Sequence, residues 1–208
     1  MFKKLFATVA LSALLPSLAN AAVVYQQGNI STADRGGYQY SGQILADDFI
    51  AGASGNLTNA TWTGSYYGTP NNSGVESFTV NIYGSGATPG ALLFSNVGNA
   101  SVVTSSTSSY FDYSLNFSGP LLTTGTEYWI AIYSNDNPQN YAWANSFDGT
   151  SNGAFTNSNG ASWFDLTDER ANHVFALNTN SNNAPEPGTL ALLALGALAF
   201  ASARQRKN

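Results

Sequence analysis

From residue 22 onward the apolar positions recur at every second residue, and hardly any stretch repeats at the helical interval. In ESFTVNIYG, 76–84, Phe78, Val80 and Ile82 alternate with Thr79, Asn81 and Tyr83. In YFDYSLNF, 110–117, Phe111, Tyr113, Leu115 and Phe117 share one face. In EYWIAIY, 127–133, Tyr128, Ile130 and Ile132 lie on one face, with Trp129, Ala131 and Tyr133 on the other. The same pattern predicts strands at 22–27, 43–50, 58–67, 100–104, 140–145, 161–164 and 172–177. Between them stand GTPNNSG, GSGATPG, SNDNPQN, FDGTSNG and TNSNG, whose Gly, Asn, Pro and Ser are turn residues. Many short strands at this spacing predict an all-β domain over 22–177, an antiparallel β-sandwich of jelly-roll-like form. Residues 178–184, NTNSNNA, read as a polar linker. No internal repeat is visible.

The two ends break the pattern. Lys3 and Lys4 precede an apolar run from Leu5 to Leu15, Pro16 ends it, and Ala19-Asn20-Ala21 is a small-x-small cleavage site. Residues 1–21 therefore read as a signal peptide, a short helix removed on export. At the other end Thr189–Ala203 is free of charge and apolar all round. As a helix it would span about 22 Å, short for a bilayer core, a mismatch that tilt and snorkelling of Arg204 absorb. Pro187 suits a first helical turn. Arg204, Arg206 and Lys207 form a basic tip that holds the C-terminus on the cytoplasmic side.

In Pro185-Glu186-Pro187, the following Gly-Thr, the Leu/Ala/Gly-rich run and the basic tip, residues 185–208 resemble the PEP-CTERM sorting signal. Gly188 stands where Ser is common. The resemblance implies an exported protein of a Gram-negative bacterium that makes an exopolysaccharide matrix. It implies processing by an exosortase, a membrane enzyme with a catalytic Cys, after transient anchoring in the inner membrane through 189–203. The destination it implies is the cell surface or the extracellular matrix. More loosely, ILADDFIAG, WTGSYYG, FTVNIYGSGATPGALLF, EYWIAIY and HVFALN resemble sandwich domains found ahead of this signal, which look like carbohydrate-binding jelly rolls.

Composition narrows the function. The chain holds no cysteine, which removes thiolate metal sites, Cys nucleophiles and disulfides. Between 22 and 184 only Arg35 and Arg170 are basic, against eleven acids, for a net charge of about −9. That balance excludes nucleic acid as a partner and opposes electrostatic docking on anionic lipid. Asn, Ser, Thr and Gly must solvate the surface, which suits uncharged polar surroundings, polysaccharide among them.

Candidate chemistry is sparse. His173 is the sole histidine and starts a predicted strand, a structural or surface position. No Gly-x-Ser-x-Gly elbow accompanies it, and zinc would lack further ligands. Glu76 and Glu127 are the isolated carboxyls a glycosidase pair would need, and both read better as exposed strand-end acids. Asp47 and Asp48, adjacent in a strand, point to opposite faces. One reading is a buried Asp bonded to backbone N–H groups; the other is a Ca²⁺ ligand, the single cofactor the sequence suggests. Trp143 and Trp163, flanked by polar and small residues, are either core or a platform on which a sugar ring stacks. The sequence thus favours a non-catalytic, matrix- or surface-exposed protein that binds exopolysaccharide. A matrix glycoside hydrolase and a structural matrix protein without a ligand are the alternatives.

Overall fold

The computed structural model describes residues 21–30, 37–38, 43–66, 75–106, 109–136, 138, 140–147, 152–156, 162–166 and 172–180. The signal peptide, the sorting signal and its hydrophobic helix, expected at 1–21 and 185–208, lie outside these apart from Ala21. Residues 20–182 form one compact unit. Among the described residues there is no helix, and none long and apolar enough to cross a membrane.

Among the described residues there are thirteen strands, the longer of which include the alternating segments read above. They are β1 (Ala21–Gln27), β2 (Gly37–Tyr38), β3 (Ile44–Ile50), β4 (Gly55–Tyr66), β5 (Val75–Gly84), β6 (Leu92–Thr104) and β7 (Phe111–Asn116). They continue with β8 (Leu121–Leu122), β9 (Glu127–Ser134), β10 (Tyr141–Trp143), β11 (Gly153–Thr156), β12 (Phe164–Leu166) and β13 (Phe175–Asn180). All pair antiparallel, in the order β1-β13-β4-β7-β6-β5-β9-β3-β11-β12, with β10 and β8 also on β4 and β2 on β10.

Where two separate sheets were expected, the ladder is continuous, because β6 pairs with β5 over Ser101–Leu92 and with β7 over Ser101–Thr104. A strand long enough to change partners joins the two halves. The joined sheet curls back on itself. Phe49 of β3 and Phe175 of β13 are six strands apart along the ladder, about 29 Å in a flat sheet. Their ring centroids are 6.2 Å apart. Tyr25 of β1 lies 5.6 Å from Phe49, and Trp62 of β4 lies 5.0 Å from Phe78 of β5.

The inner surface of this curl is the core. Phe78, Val80, Ile82, Ile130, Leu57, Ala60 and Leu177 have no exposure, and Trp62, Tyr113, Tyr141 and Phe175 interlock among them. Gly64 makes room there: a Cβ on it would stand 2.5 Å from the Tyr141 ring. The outer surface of β3, β5, β9 and β11 is buried as well, in a second cluster of Ile44, Ala46, Tyr83, Trp129, Ala131 and Ala154. The alternation in EYWIAIY is therefore apolar on both faces because both faces are covered.

Two boundaries shift. β13 runs to Asn180, three residues into the segment expected as linker. Thr179 is fully buried there, and Asn178 donates to Asn59 Oδ1 at 3.1 Å, so the polar tail of NTNSNNA begins as strand. β6 starts at Leu92 rather than 100; its first half is exposed at every second residue or more, which hid it from an apolar pattern.

Candidate functional site

The outer surface of β1, β13, β4, β7 and β6 is polar, as the complement of the inner aromatic positions. On β4 the residues between Ala60, Trp62 and Gly64 are Thr61 and Thr63; on β7 those between Phe111, Tyr113 and Leu115 are Asp112 and Ser114. The register lines them up. Ser101, Ser114, Thr61, Ala176 and Gln26 form one row across five strands. Val103, Asp112 and Thr63 form the next. These rows line a groove of about 430 Å³ that reaches Gly28 and Val174. Thr63 Oγ1 donates to Asp112 Oδ1 at 2.7 Å and fixes the carboxylate against one wall. Beyond it Asn178, Asn59 and Asn116 make an amide ladder, with Asn59 Nδ2 donating to Asn116 Oδ1 at 2.8 Å and to Ser114 Oγ at 3.0 Å. Among the described residues the groove offers hydroxyls, amides and one carboxylate. No Lys or Arg stands among the described residues.

The residues singled out in the sequence lie elsewhere. Trp143 is 1 % exposed, stacked on His173 at 4.5 Å and 14°, with Nε1 donating to the Val174 carbonyl. It offers no face to a sugar, because Ala142 and Ala144 around it are themselves core. Trp163 is half-buried, edge-on to Tyr83 at 5.4 Å, on the opposite half of the sheet from the groove. The two tryptophans do not form one platform.

Asp47 and Asp48 do point to opposite faces, and each is held by backbone. Asp47, fully buried, accepts from the His173 N–H at 2.6 Å and from Gln27 Nε2 at 3.3 Å, tying β3 to β1 and to the approach to β13. Asp48 Oδ1 accepts from the Asn152 N–H at 2.8 Å. The pair does not converge on a single point, and no cluster of three metal-ligating side chains occurs among the described residues. His173 is fully buried; burial pushes its pKa down to about 3, opposed by the Ala144 backbone. It is a neutral ring in the core.

Glu76 departs most from its expectation. It is 1 % exposed rather than a solvated strand end. Ser134 Oγ donates to Oε1 at 2.8 Å, and the Tyr66 hydroxyl donates to the same oxygen. Burial pushes its pKa up to about 7, with Asp136 adding to the rise and the Ser134 and Tyr113 hydroxyls opposing it. Burial, with Tyr141 and Glu76 close by, raises the Tyr113 phenol in turn. Glu127, at the start of β9, lies at the opposite end of the strands from Glu76, since Phe78 pairs with Ser134 and Gly84 with Tyr128. The two carboxyls do not face each other.

Residues 183–207 match the PEP-CTERM protein-sorting motif. The motif supports an exported, transiently membrane-anchored protein with an exosortase as its processing partner. Comparison with curated proteins and with solved structures returns no match.

Proposed function

We propose that the exported domain is a non-catalytic module that binds neutral exopolysaccharide in the groove across β1, β13, β4, β7 and β6, at the bacterial surface or in its matrix. The observation that carries this reading is the five-strand row of hydroxyl, amide and small side chains lining 430 Å³ of open groove. Glycan hydroxyls exchange hydrogen bonds with such side chains, and the absence of cationic lining among the described residues suits an uncharged chain. Among the described residues Asp112 is the one carboxyl lining the groove; glycoside hydrolysis needs two across a cleft, which favours binding over cleavage. The curl of the sheet supports a two-layered, jelly-roll-like arrangement, in which such grooves lie on an outer sheet face.

The test is affinity electrophoresis of residues 22–183 through gels carrying the producing strain's exopolysaccharide, with and without Ca²⁺. Retardation that the double variant Thr61→Ala, Asp112→Ala abolishes is the expected result. Equal migration of native and variant chains would overturn the groove as the site. Retardation only with Ca²⁺ would return the aspartates to the role of ligands.

A further inference from the structure

We propose that the end of the domain from which both processing segments depart is a membrane-seating surface, resting on the bilayer while the chain is anchored. The inference rests on the reading of the chain as exported and anchored through 189–203. The register fixes the end. Ala21 pairs with Asn180, Asn180 with Asn56, and Asn56 with Leu121, so the last residue expected in the signal peptide, the last residue of β13 and Leu121 stand in one row. On the facing half of the sheet Ile50 pairs with Glu127, Gly84 with Tyr128 and Tyr83 with Leu92. The loops join these halves: the Gly52 N–H donates to the Val24 carbonyl at 2.7 Å, and the Gly125 N–H to that of Ala51 at 2.7 Å.

Among the described residues, five of the ten exposed large apolar side chains stand at this end, interspersed with exposed Ser54, Asn56, Thr123 and Thr124. Leu121 is 66 % exposed, Ile50 62 %, Val23 56 %, Leu92 55 % and Leu93 50 %. Exposed apolar groups gathered at one place mark an interaction surface. The other five are spread out: Val97 is midway along β6, Val75 and Val103 are at the far end, Phe147 lies beyond β1 beside Asn29, and Phe164 opens β12. Charge agrees. Glu127 is the one acid at this end among the described residues, while Glu76, Asp112 and Asp136 lie at the other and Asp47, Asp48 and Asp165 between. An acidic domain thus keeps its carboxylates off an anionic surface.

Tether length selects the bilayer as occupant. Nine residue steps separate Asn180 from Thr189, where the apolar run starts. Fully extended they span about 30 Å, less than the long dimension of the thirteen-residue β6 at about 43 Å. The anchored domain therefore stays beside the membrane, and the end nearest its tether is this one. Apolar side chains there enter the interface as they do in monotopic proteins, and the groove, on the outer sheet face from the middle of the same strands toward their far end, opens to the side.

The full chain has no cysteine, so single labels report position directly. Full-length Leu121→Cys, Val103→Cys and Leu193→Cys chains, each carrying a fluorophore, are reconstituted into phosphatidylethanolamine–phosphatidylglycerol vesicles containing doxyl-labelled lipid. The expected result is loss of fluorescence at 193 and at 121, and none at 103. Ile50→Cys repeats the reading at a second exposed position should Leu121→Cys fold poorly. Quenching at 193 without quenching at 121 and 50 overturns the proposal and leaves the anchor intact. Equal quenching at 121 and 103 overturns it as well, since no end is then preferred. No quenching at 193 overturns the anchored reading, and the proposal with it.

Discussion

The two ends of the sheet differ in how they use polarity. Away from the chain-exit end charge is taken inside: Asp47, midway along β3, ties it to Gln27 and His173, and Glu76, at the far end, sits under Tyr66 and Ser134. Polar groups also line the groove there. At the end where the chain enters and leaves, the interior is mostly apolar packing of Leu57, Leu122 and Phe49 with the buried Thr179 beside Leu57, and the surface carries Leu121, Ile50 and Val23. Buried charge fixes geometry because its partners are few and directional; exposed apolar area fixes nothing within the domain and is free to meet something else. The comparison teaches that the structural investment of this fold is at the groove end.

Substitutions test that asymmetry. Asp47→Ala leaves the buried His173 N–H without its acceptor and takes one of the acceptors of the Gln27 amide, which keeps the His173 carbonyl, and should cost about 3 kcal/mol. Leu121→Ser, at the other end, should stay within about 0.5 kcal/mol. Urea unfolding measures both, and equal losses would break the comparison.

Next in size is pH. Burial holds Glu76 near 7 against its ordinary 4.5, so the folded chain binds this proton more tightly than the unfolded one. Its contribution to stability is full below about 4.5 and lost as pH rises to about 7. Glu76→Gln keeps the shape and removes the loss; the variant should be the more stable at pH 8 by about 2 kcal/mol and gain nothing at pH 4. His173 slopes the other way. With its pKa lowered from 6.5 to about 3, its contribution is full above 6.5 and declines as pH falls toward 3. NMR of the sole imidazole should show it neutral from pH 8 down to 4.5; a midpoint near 6.5 would place it in solvent.

Gly64→Ala should cost about 1–2 kcal/mol, since the added methyl meets the Tyr141 ring, with thermal unfolding as the readout. Smallest for stability is Asp112→Asn, within about 0.5 kcal/mol. Its effect should appear in binding instead, as about a tenfold loss of glycan affinity.

Much of the strand pattern was legible, because alternation records which face is buried. Phe78, Val80 and Ile82 lie inside, as do Tyr113 and Leu115, and EYWIAIY divides between two clusters. The groove was legible only by halves. Thr61, Thr63, Asp112 and Ser114 are the positions the apolar pattern skips, but that β4 lies between β7 and β13 is a matter of long-range pairing that no local pattern encodes. Glu76 misled because it stands beside the strand's start, where acids are usually solvated; its cover comes from Tyr66 and Ser134 on other strands. For Trp143 the sequence left core and platform open, since its neighbours there are small or polar; its neighbours in space, His173 and Phe175, make it core.

The most direct test of the account is chemical-shift mapping of residues 22–183 with neutral oligosaccharides released from the producing strain's exopolysaccharide. The account predicts shifts concentrated at Gln26, Thr61, Thr63, Ser101, Asp112 and Ser114, with Ile50, Leu121 and Leu92 unmoved. Shifts centred on the chain-exit end, or none at saturating glycan, would contradict it.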